Sequence, residues 1–267
     1  MVQLSSAKLL SCVQDPNTRG WESVALKWGN VQWPRRPKWV REFARAKPLF
    51  SKMEGEEALV LGATPEFRAW LHNFGAKVSV YEKSEVSFSA MTDIMAKQLK
   101  VRPPESEIVI KRDWESEGCE KGRYRMIMGD IVSGYMETPG RYMAFLLKVH
   151  SMLADNGVFL LREFPFEPFN GDPSKIANVD HRRWAYILKP GFAVEGKTFF
   201  EGKLAHNLAK IGDLQAFATC ASPPRTRLML TFGEYEKMFY EAGYDSQVLS
   251  APGSVPNPCP ALWALWK

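Results

Sequence analysis

The stretch Ala58-Leu59-Val60-Leu61-Gly62-Ala63-Thr64-Pro65-Glu66 decides the fold. Four apolar residues in a row, ending at a glycine, read as a strand buried on both faces. Pro65 suits the first turn of a helix, where no N–H is needed. Phe67, Trp70, Leu71 and Phe74 then follow at i, i+3, i+4 and i+7, and Gly75 closes that stripe. The segment is therefore a strand, a tight turn and a helix.

Working outward, the same alternation continues. Lys77-Val78-Ser79-Val80-Tyr81-Glu82 reads as a second strand, and Ser84 as the cap of a helix bearing Met91, Ile94, Met95 and Leu99. Pro103-Pro104 stops that helix. Ile108–Ile110 reads as a third strand and Tyr124–Met128 as a fourth, ending at Gly129-Asp130. Tyr142–Leu153 carries a helical stripe, which Asn156-Gly157 is expected to end. Val158–Leu161 is the fifth strand, with Glu163 just past it. Strands alternating with helices build right-handed crossovers and a parallel sheet. Residues 165–230 break the alternation, with a weaker helix around Lys203–Ala218. Thr231 and Glu234 have capping-box spacing and open a last helix. Ser246–Ser250 and Ala261–Trp266 are joined by a loop too short for a crossover helix, so they read as an antiparallel hairpin.

The 267 residues carry 35 basic and 30 acidic side chains, a net charge of +5. That balance is too weak to argue for nucleic acid. With 45% hydrophobic residues, whole-chain disorder is excluded, and no apolar run reaches the ~20 residues of a membrane span. Met1–Leu10 lacks the apolar stretch of a signal peptide. Cys12, Cys119, Cys220 and Cys259 lie far apart without a Cys-x-x-Cys, so they read as free thiols in a reducing, cytoplasmic setting. No His-x-Glu or clustered ligand spacing occurs, and no metal is expected.

In an open α/β sheet, ligands bind beyond the carboxyl ends of the strands. After the first strand come Gly62, Ala63 and Thr64, where the backbone allows close approach and a helix N-terminus offers free donors. Glu82 stands about 20 positions past Gly62, the spacing at which an acid holds a ribose diol, and Lys83 follows it. Asp113 and Trp114 pair a carboxylate acceptor with a flat ring, which suits an adenine. Gly129 and Asp130 follow the fourth strand.

These residues resemble the class I S-adenosylmethionine-dependent methyltransferases. More narrowly, the chain resembles a group whose nucleotide-binding turn reads Leu-Gly-x-Thr-Pro-Glu, here Leu61–Glu66. Glu82, Asp113-Trp114, Gly129-Asp130 and the strand ending Leu161-Arg162 also match. The likeness covers roughly Glu56 to Phe164, the final helix and the hairpin. It implies a Rossmann-like sheet of seven strands with helices on both faces. The last strand is inserted antiparallel inside that sheet, and S-adenosylmethionine is the cofactor. The turn departs from the usual Gly-x-Gly-x-Gly, with Thr64 and Glu66 where the second and third glycines would stand. No Asn/Asp-Pro-Pro-Tyr/Phe tetrapeptide follows the fourth strand, which leaves amino methylation through that motif without support.

The implied reaction is methyl transfer to a small-molecule acceptor at O, N or C, with an acceptor that is partly aromatic or apolar. Candidates for catalysis are His181, read as lying on a loop, Glu163, and Tyr135 as a wall of the methyl site. The chain divides into a Trp-rich substrate or lid segment, 1–50, and a methyltransferase domain, 51–267, with a cap-like insertion at 165–230. Its aromatics, among them Phe166, Trp184 and Phe199, are expected to cover the site or to form a homodimer interface. Two other classes stay open. One is an RNA or protein methyltransferase using Arg35, Arg36, Lys38, Arg41, Arg45 and Lys47 interleaved with Trp33 and Trp39. The other is a non-catalytic nucleotide-binding subunit.

Overall fold

In the computed structural model, which describes residue 22 and residues 25–30, 36–115, 120–218, 220, 226–251 and 260–267, strand β1 spans Glu57–Leu61. It lies between β2 (Lys77–Tyr81) and β4 (Tyr124–Asp130), parallel to both. β3 (Ile108–Ile110) adds to the outside of β2, and β5 (Leu153–Glu163) to the outside of β4. Three short strands, β6 (Val194–Glu195), β7 (Thr198–Phe200) and β8 (Thr226–Leu228), form a separate antiparallel sheet. β9 (Asp245–Ser250) and β10 (Ala261–Trp266) return to the main sheet, giving the order β3-β2-β1-β4-β5-β10-β9. β10 is antiparallel to both neighbours and lies inside the sheet. The expected seven-stranded, Rossmann-like sheet with its carboxyl-terminal hairpin is thus the observed fold.

Period-two side-chain alternation divides each central strand between two apolar layers. Leu59 and Leu61 of β1 and Trp263 and Leu265 of β10 face one layer, with Tyr142, Phe145, Tyr235 and Phe239. Those four belong to helices α3 (Pro139–Met152) and α6 (Phe232–Glu241). Ala58, Val60, Leu262 and Ala264 face the other layer. That layer receives α1 (Pro65–Asn73) and α2 (Glu85–Gln98), through Phe67, Leu71 and Met91. Ser84 caps α2 by accepting from the Ser87 N–H at 3.1 Å. Thr231 and Glu234 form the expected capping box of α6.

The segment before β1 adds to the second layer. Short helical turns at Trp39–Phe43, Ala44–Ala46 and Lys47–Phe50 carry Phe43 and Phe50, both fully buried. Trp39 and Phe43 lie 5.2 and 4.7 Å from the ring of Trp70 on α1. Phe43 and Phe50 are core residues, and Trp39 packs against them partly buried. Trp33, Arg35, the Arg41 side chain, Met1–Leu10 and the cysteines other than Cys220 lie outside the described residues.

Four local expectations are corrected. α3 ends at Met152, and β5 begins at Leu153, ahead of Asn156-Gly157. The register of β5 against β4 shifts there, from Tyr124↔Leu153 to Met126↔Val158. A Cβ on Gly157 would stand 2.8 Å from the Tyr124 carbonyl oxygen, so the glycine serves an irregularity inside the strand and not a helix end. Glu163 is the last residue of β5. His181 is helical, in the first turn of α4 (Val179–Leu188). The helix expected over Lys203–Ala218 is two pieces, α5 (Glu201–Ile211) and a turn at Leu214–Phe217. Gly212, at φ +76°, separates them, and Asp213 caps the second.

Candidate functional site

The carboxyl ends of β1, β2 and β3 bring three predicted residues into contact. Gly62 has φ +80° and donates its N–H to the Tyr81 carbonyl oxygen at 2.8 Å. The Trp114 indole N–H donates to the same oxygen at 3.1 Å. The two groups are thereby pinned side by side. A Cβ on residue 62 would come within 3.2 Å of Trp114 Cζ2 and 4.0 Å of Glu82 Oε2, so only glycine fits this corner without displacement. Glu82 is buried, and its Oε1 accepts from the Ser84 N–H at 2.8 Å. Ala63 and Thr64 complete the turn, also buried, with Thr64 at the N-cap position of α1.

Around this corner stand the other candidates. Tyr135 sets its ring edge-on to Trp114, with centroids 5.0 Å apart. Lys83 donates to Asp113 Oδ2 at 2.8 Å, at a more exposed rim. Burial works against ionisation of Asp113. The Lys83 bond, the Glu115 N–H and the charges of Lys83 and Arg141 outweigh it and hold the carboxyl below the usual range.

Asp130 and Glu163 belong to separate networks. Arg162, fully buried, donates from Nη1 to Asp130 Oδ1 at 2.7 Å and from Nε to Glu42 Oε1 at 2.9 Å. Burial raises Asp130 to about 6 despite that partner. Glu163 has no exposed surface. Ser133 reaches both of its oxygens, from N–H at 2.8 Å and from Oγ at 2.7 Å, and the Tyr142 hydroxyl adds a 3.4 Å bond. All three of these bonds come from within the protein. Gly129 lies within β4, where a Cβ would clash with Val132 at 2.8 Å and with Phe159 at 3.1 Å, so its small size serves packing. His181 lies on α4, where its backbone N–H donates to the Asn178 cap at 2.9 Å.

Residues 166–230 hold a third apolar cluster of their own, including Tyr186, Phe199, Leu204 and Leu208. Several of the aromatics expected to cover the site are used there. β8 nevertheless lies against the turn that follows β4, and Thr198 Oγ1 donates to the Glu137 carbonyl oxygen at 2.7 Å. Phe164, just past β5, stacks on Trp184 at 5.8 Å, and Trp184 stacks on Phe166 at 5.7 Å. The insertion is therefore joined to the strand ends through Phe164 and the post-β4 turn.

Sequence reasoning gives no role to Glu42, Ser133 or Tyr235, and uses Glu66 and Arg162 only as parts of matching motifs. Glu66 is buried, accepts from Trp28 Nε1 at 3.3 Å and pairs with Arg36. Burial raises its carboxyl, against the pull of Arg36. The usable signal is Glu66 itself, a charged residue set between Pro65 and Phe67 in the first turn of α1. Arg45 donates to the Leu249 carbonyl oxygen at 3.3 Å. Two members of the basic run are thus engaged within the protein. Among the described residues no group of three or more His, Cys, Asp or Glu side chains could hold a metal ion, and no helix is long and apolar enough to cross a membrane.

No protein-family model matches the chain, and no curated protein matches it in sequence. Solved structures do match. A Rhodobacter sphaeroides protein, named for a proposed zinc-dependent alcohol dehydrogenase activity, superposes with a TM-score of 0.58 at 14% identity, covering 96% of this chain and 99% of its own. The DhpI–SAM–HEP complex gives 0.55 at 11% identity, over 94% and 96%. A Listeria monocytogenes protein, named as a proposed S-adenosylmethionine-dependent methyltransferase, gives 0.52 at 14% identity, over 85% and 100%. At these identities the likeness is one of fold.

Proposed function

We propose that the protein is an S-adenosylmethionine-dependent methyltransferase acting on a small-molecule acceptor through an O, N or C nucleophile. The observation that carries this reading is the corner where Gly62, Glu82 and Trp114 meet. It lies at the carboxyl end of β1, where successive crossovers leave the sheet in opposite directions, the usual place for a nucleotide. A Cβ would fill the space beside the indole, a buried carboxylate turns one oxygen towards it, and a helix N-terminus comes next in the chain. These features suit a ribose, an adenine face and an anionic tail. One neighbour named as a proposed S-adenosylmethionine-dependent methyltransferase, and another named as a complex with SAM, support the reading.

Bound there, S-adenosylmethionine would supply an electrophilic methyl group. Glu82 would accept from the ribose hydroxyls, while Trp114 and Tyr135 wall the adenine and Asp113 accepts from its amino group. Lys83 keeps Asp113 ionised and oriented. The Gly62-Ala63-Thr64 turn would meet the methionine end, with Gly129-Asp130 on its far side. Residues 165–230 form the cap over the acceptor, with Trp184 and Phe166 as flat walls, and exclude water from the transfer. Within that cap His181 is the candidate for moving an acceptor proton. The small-molecule reading is favoured over an RNA acceptor because Arg36 and Arg45 of the basic run are engaged internally. The test is calorimetry of the full chain with S-adenosylmethionine and S-adenosylhomocysteine, after mass spectrometry of any nucleoside that co-purifies. Saturable binding of both, followed by turnover in a labelled-methyl screen, is expected; a folded protein that binds neither overturns the proposal.

A further inference from the structure

The turn leaving β4 is held in a conformation that its sequence does not favour. Ile131 has φ +53° and ψ +46°, the left-handed region, where a β-branched side chain is strained. A short 3₁₀ turn, Val132–Tyr135, comes directly after it. Strain of this kind persists only where the surroundings over-determine it.

Two adjacent residues of β5 supply the restraint. The Arg162 carbonyl oxygen accepts from the Ile131 N–H at 2.7 Å. The Glu163 side chain takes both donors of Ser133, and Ser133 Oγ also lies 2.7 Å from the Tyr235 hydroxyl of α6. Ser133 and Glu163 are buried, so water does not compete for these bonds. At the far end of the same turn, Tyr135 meets Trp114, whose ring edge defines the empty space beside Gly62.

We propose that Glu163 is a positioning residue: acting through Ser133, it fixes the post-β4 turn so that Tyr135 holds Trp114 in place and sets the width of the slot beside Gly62. The identity of the ligand in that slot rests on the methyltransferase reading; the clamp itself does not. In this role Glu163 acts through Ser133 and not on the ligand itself. Its hydrogen-bond partners are Ser133, through N–H and Oγ, and the Tyr142 hydroxyl; Tyr235 bonds to Ser133 Oγ, and Asp130 is the nearby like charge. A glutamine can replace it. The amide oxygen would accept from the Ser133 N–H, the amide N–H₂ would donate to Ser133 Oγ, and that hydroxyl would turn to Tyr235. An alanine takes the Glu163 acceptor away from the Ser133 N–H and the Tyr142 hydroxyl and leaves Ser133 Oγ with Tyr235 alone. Burial raises the native carboxyl to about 8, so a neutral amide of the same shape is a close replacement.

The test reads Trp114 directly. Its indole N–H resonance is assigned with Trp114→Phe, and its shift and exchange rate are compared among wild type, Glu163→Gln and Glu163→Ala. In wild type and E163Q the N–H stays bonded to Tyr81 and exchanges slowly. In E163A the resonance moves, and exchange speeds up at least about tenfold. Should E163A not fold, Ser133→Ala removes the same side-chain bond and takes the same readout. An unmoved indole signal in a folded E163A or Ser133→Ala protein overturns the proposal, as does an E163Q protein that loses the signal as fully as E163A. A second arm measures S-adenosylhomocysteine affinity. The clamp requires about a tenfold or greater loss in E163A, with E163Q near wild type. A wild type that does not bind sinks the methyltransferase reading, while the indole signal still decides the clamp.

Discussion

Glu82 stands just beyond β2 and Glu163 closes β5, both buried at the carboxyl edge of the same sheet. Their surroundings differ. Glu82 receives a backbone N–H on one oxygen and turns the other towards the Gly62 turn. Glu163 receives donors on both oxygens, all from its own protein. The difference lies in the chain just beyond each strand. β2 runs directly into the capped start of α2, whose Ser84 N–H meets a single oxygen of the carboxylate. β5 lies beside the post-β4 turn, whose serine meets both oxygens of the carboxyl. The loop beside each strand end decides which backbone and side-chain donors its acid meets.

The largest expected effect tests the scaffold of one side of this pair. Ala261 pairs with Glu163, and β10 contributes Trp263 and Leu265, both fully buried. Removing residues 261–267 exposes the apolar faces they cover and opens the β5 edge. No cooperative melting transition should remain, and a truncated protein with the wild-type melting curve would contradict the topology. Next comes Glu82→Ala. Charge-assisted hydrogen bonds are worth roughly 1.5–3 kcal/mol each. Nucleotide affinity by calorimetry should therefore fall by at least about tenfold, and an unchanged affinity would remove Glu82 from the site.

A pH series separates the two carboxyls further. Burial raises Glu163 from the ordinary 4.5 to about 8, against the Ser133 bonds, with Asp130 adding to the rise. The folded protein therefore keeps a proton that the unfolded chain releases between those values. Stability relative to Glu163→Gln is greatest below about pH 4.5 and declines up to about pH 8, then levels. At roughly 1.4 kcal/mol per pKa unit the decline is of order a few kcal/mol. Denaturant melts at pH 5 and pH 8 measure it, and parallel curves for the two proteins would place Glu163 in a wetter setting than its burial shows. The smallest effect belongs to the cap: Trp184→Ala should alter acceptor turnover several-fold while donor affinity stays nearly unchanged. A shift from dimer to monomer in sedimentation with turnover preserved would instead make that surface an interface.

The sheet is legible in the sequence because its strands are short apolar runs bounded by Gly62, Gly75 and Pro103-Pro104, and such punctuation is local. The corner at Gly62, Glu82 and Trp114 is legible for the same reason, since strand order places consecutive strand ends side by side. The β5 boundary is not, because Asn156-Gly157 is a turn signal by local rules, yet here it serves an irregularity imposed by pairing with β4. A place at a strand end suggests catalysis for Glu163. Its enclosure depends on Ser133 and Tyr235; Ser133 lies 30 residues from Glu163 in sequence, and Tyr235 lies 102 residues from Ser133. The small β6-β7-β8 sheet escapes sequence reading because strands of two or three residues carry no periodicity.

The place of β10 has a further consequence, for the order in which the molecule assembles. β5 pairs on one side with β4, close in sequence, and on the other with a strand about a hundred residues later. Closing that long loop is slow relative to forming the crossover units. Until it closes, β5 presents an open, apolar strand edge, the kind of surface that recruits other chains. Concentration and temperature during refolding should therefore govern the yield of this protein more than its final stability does.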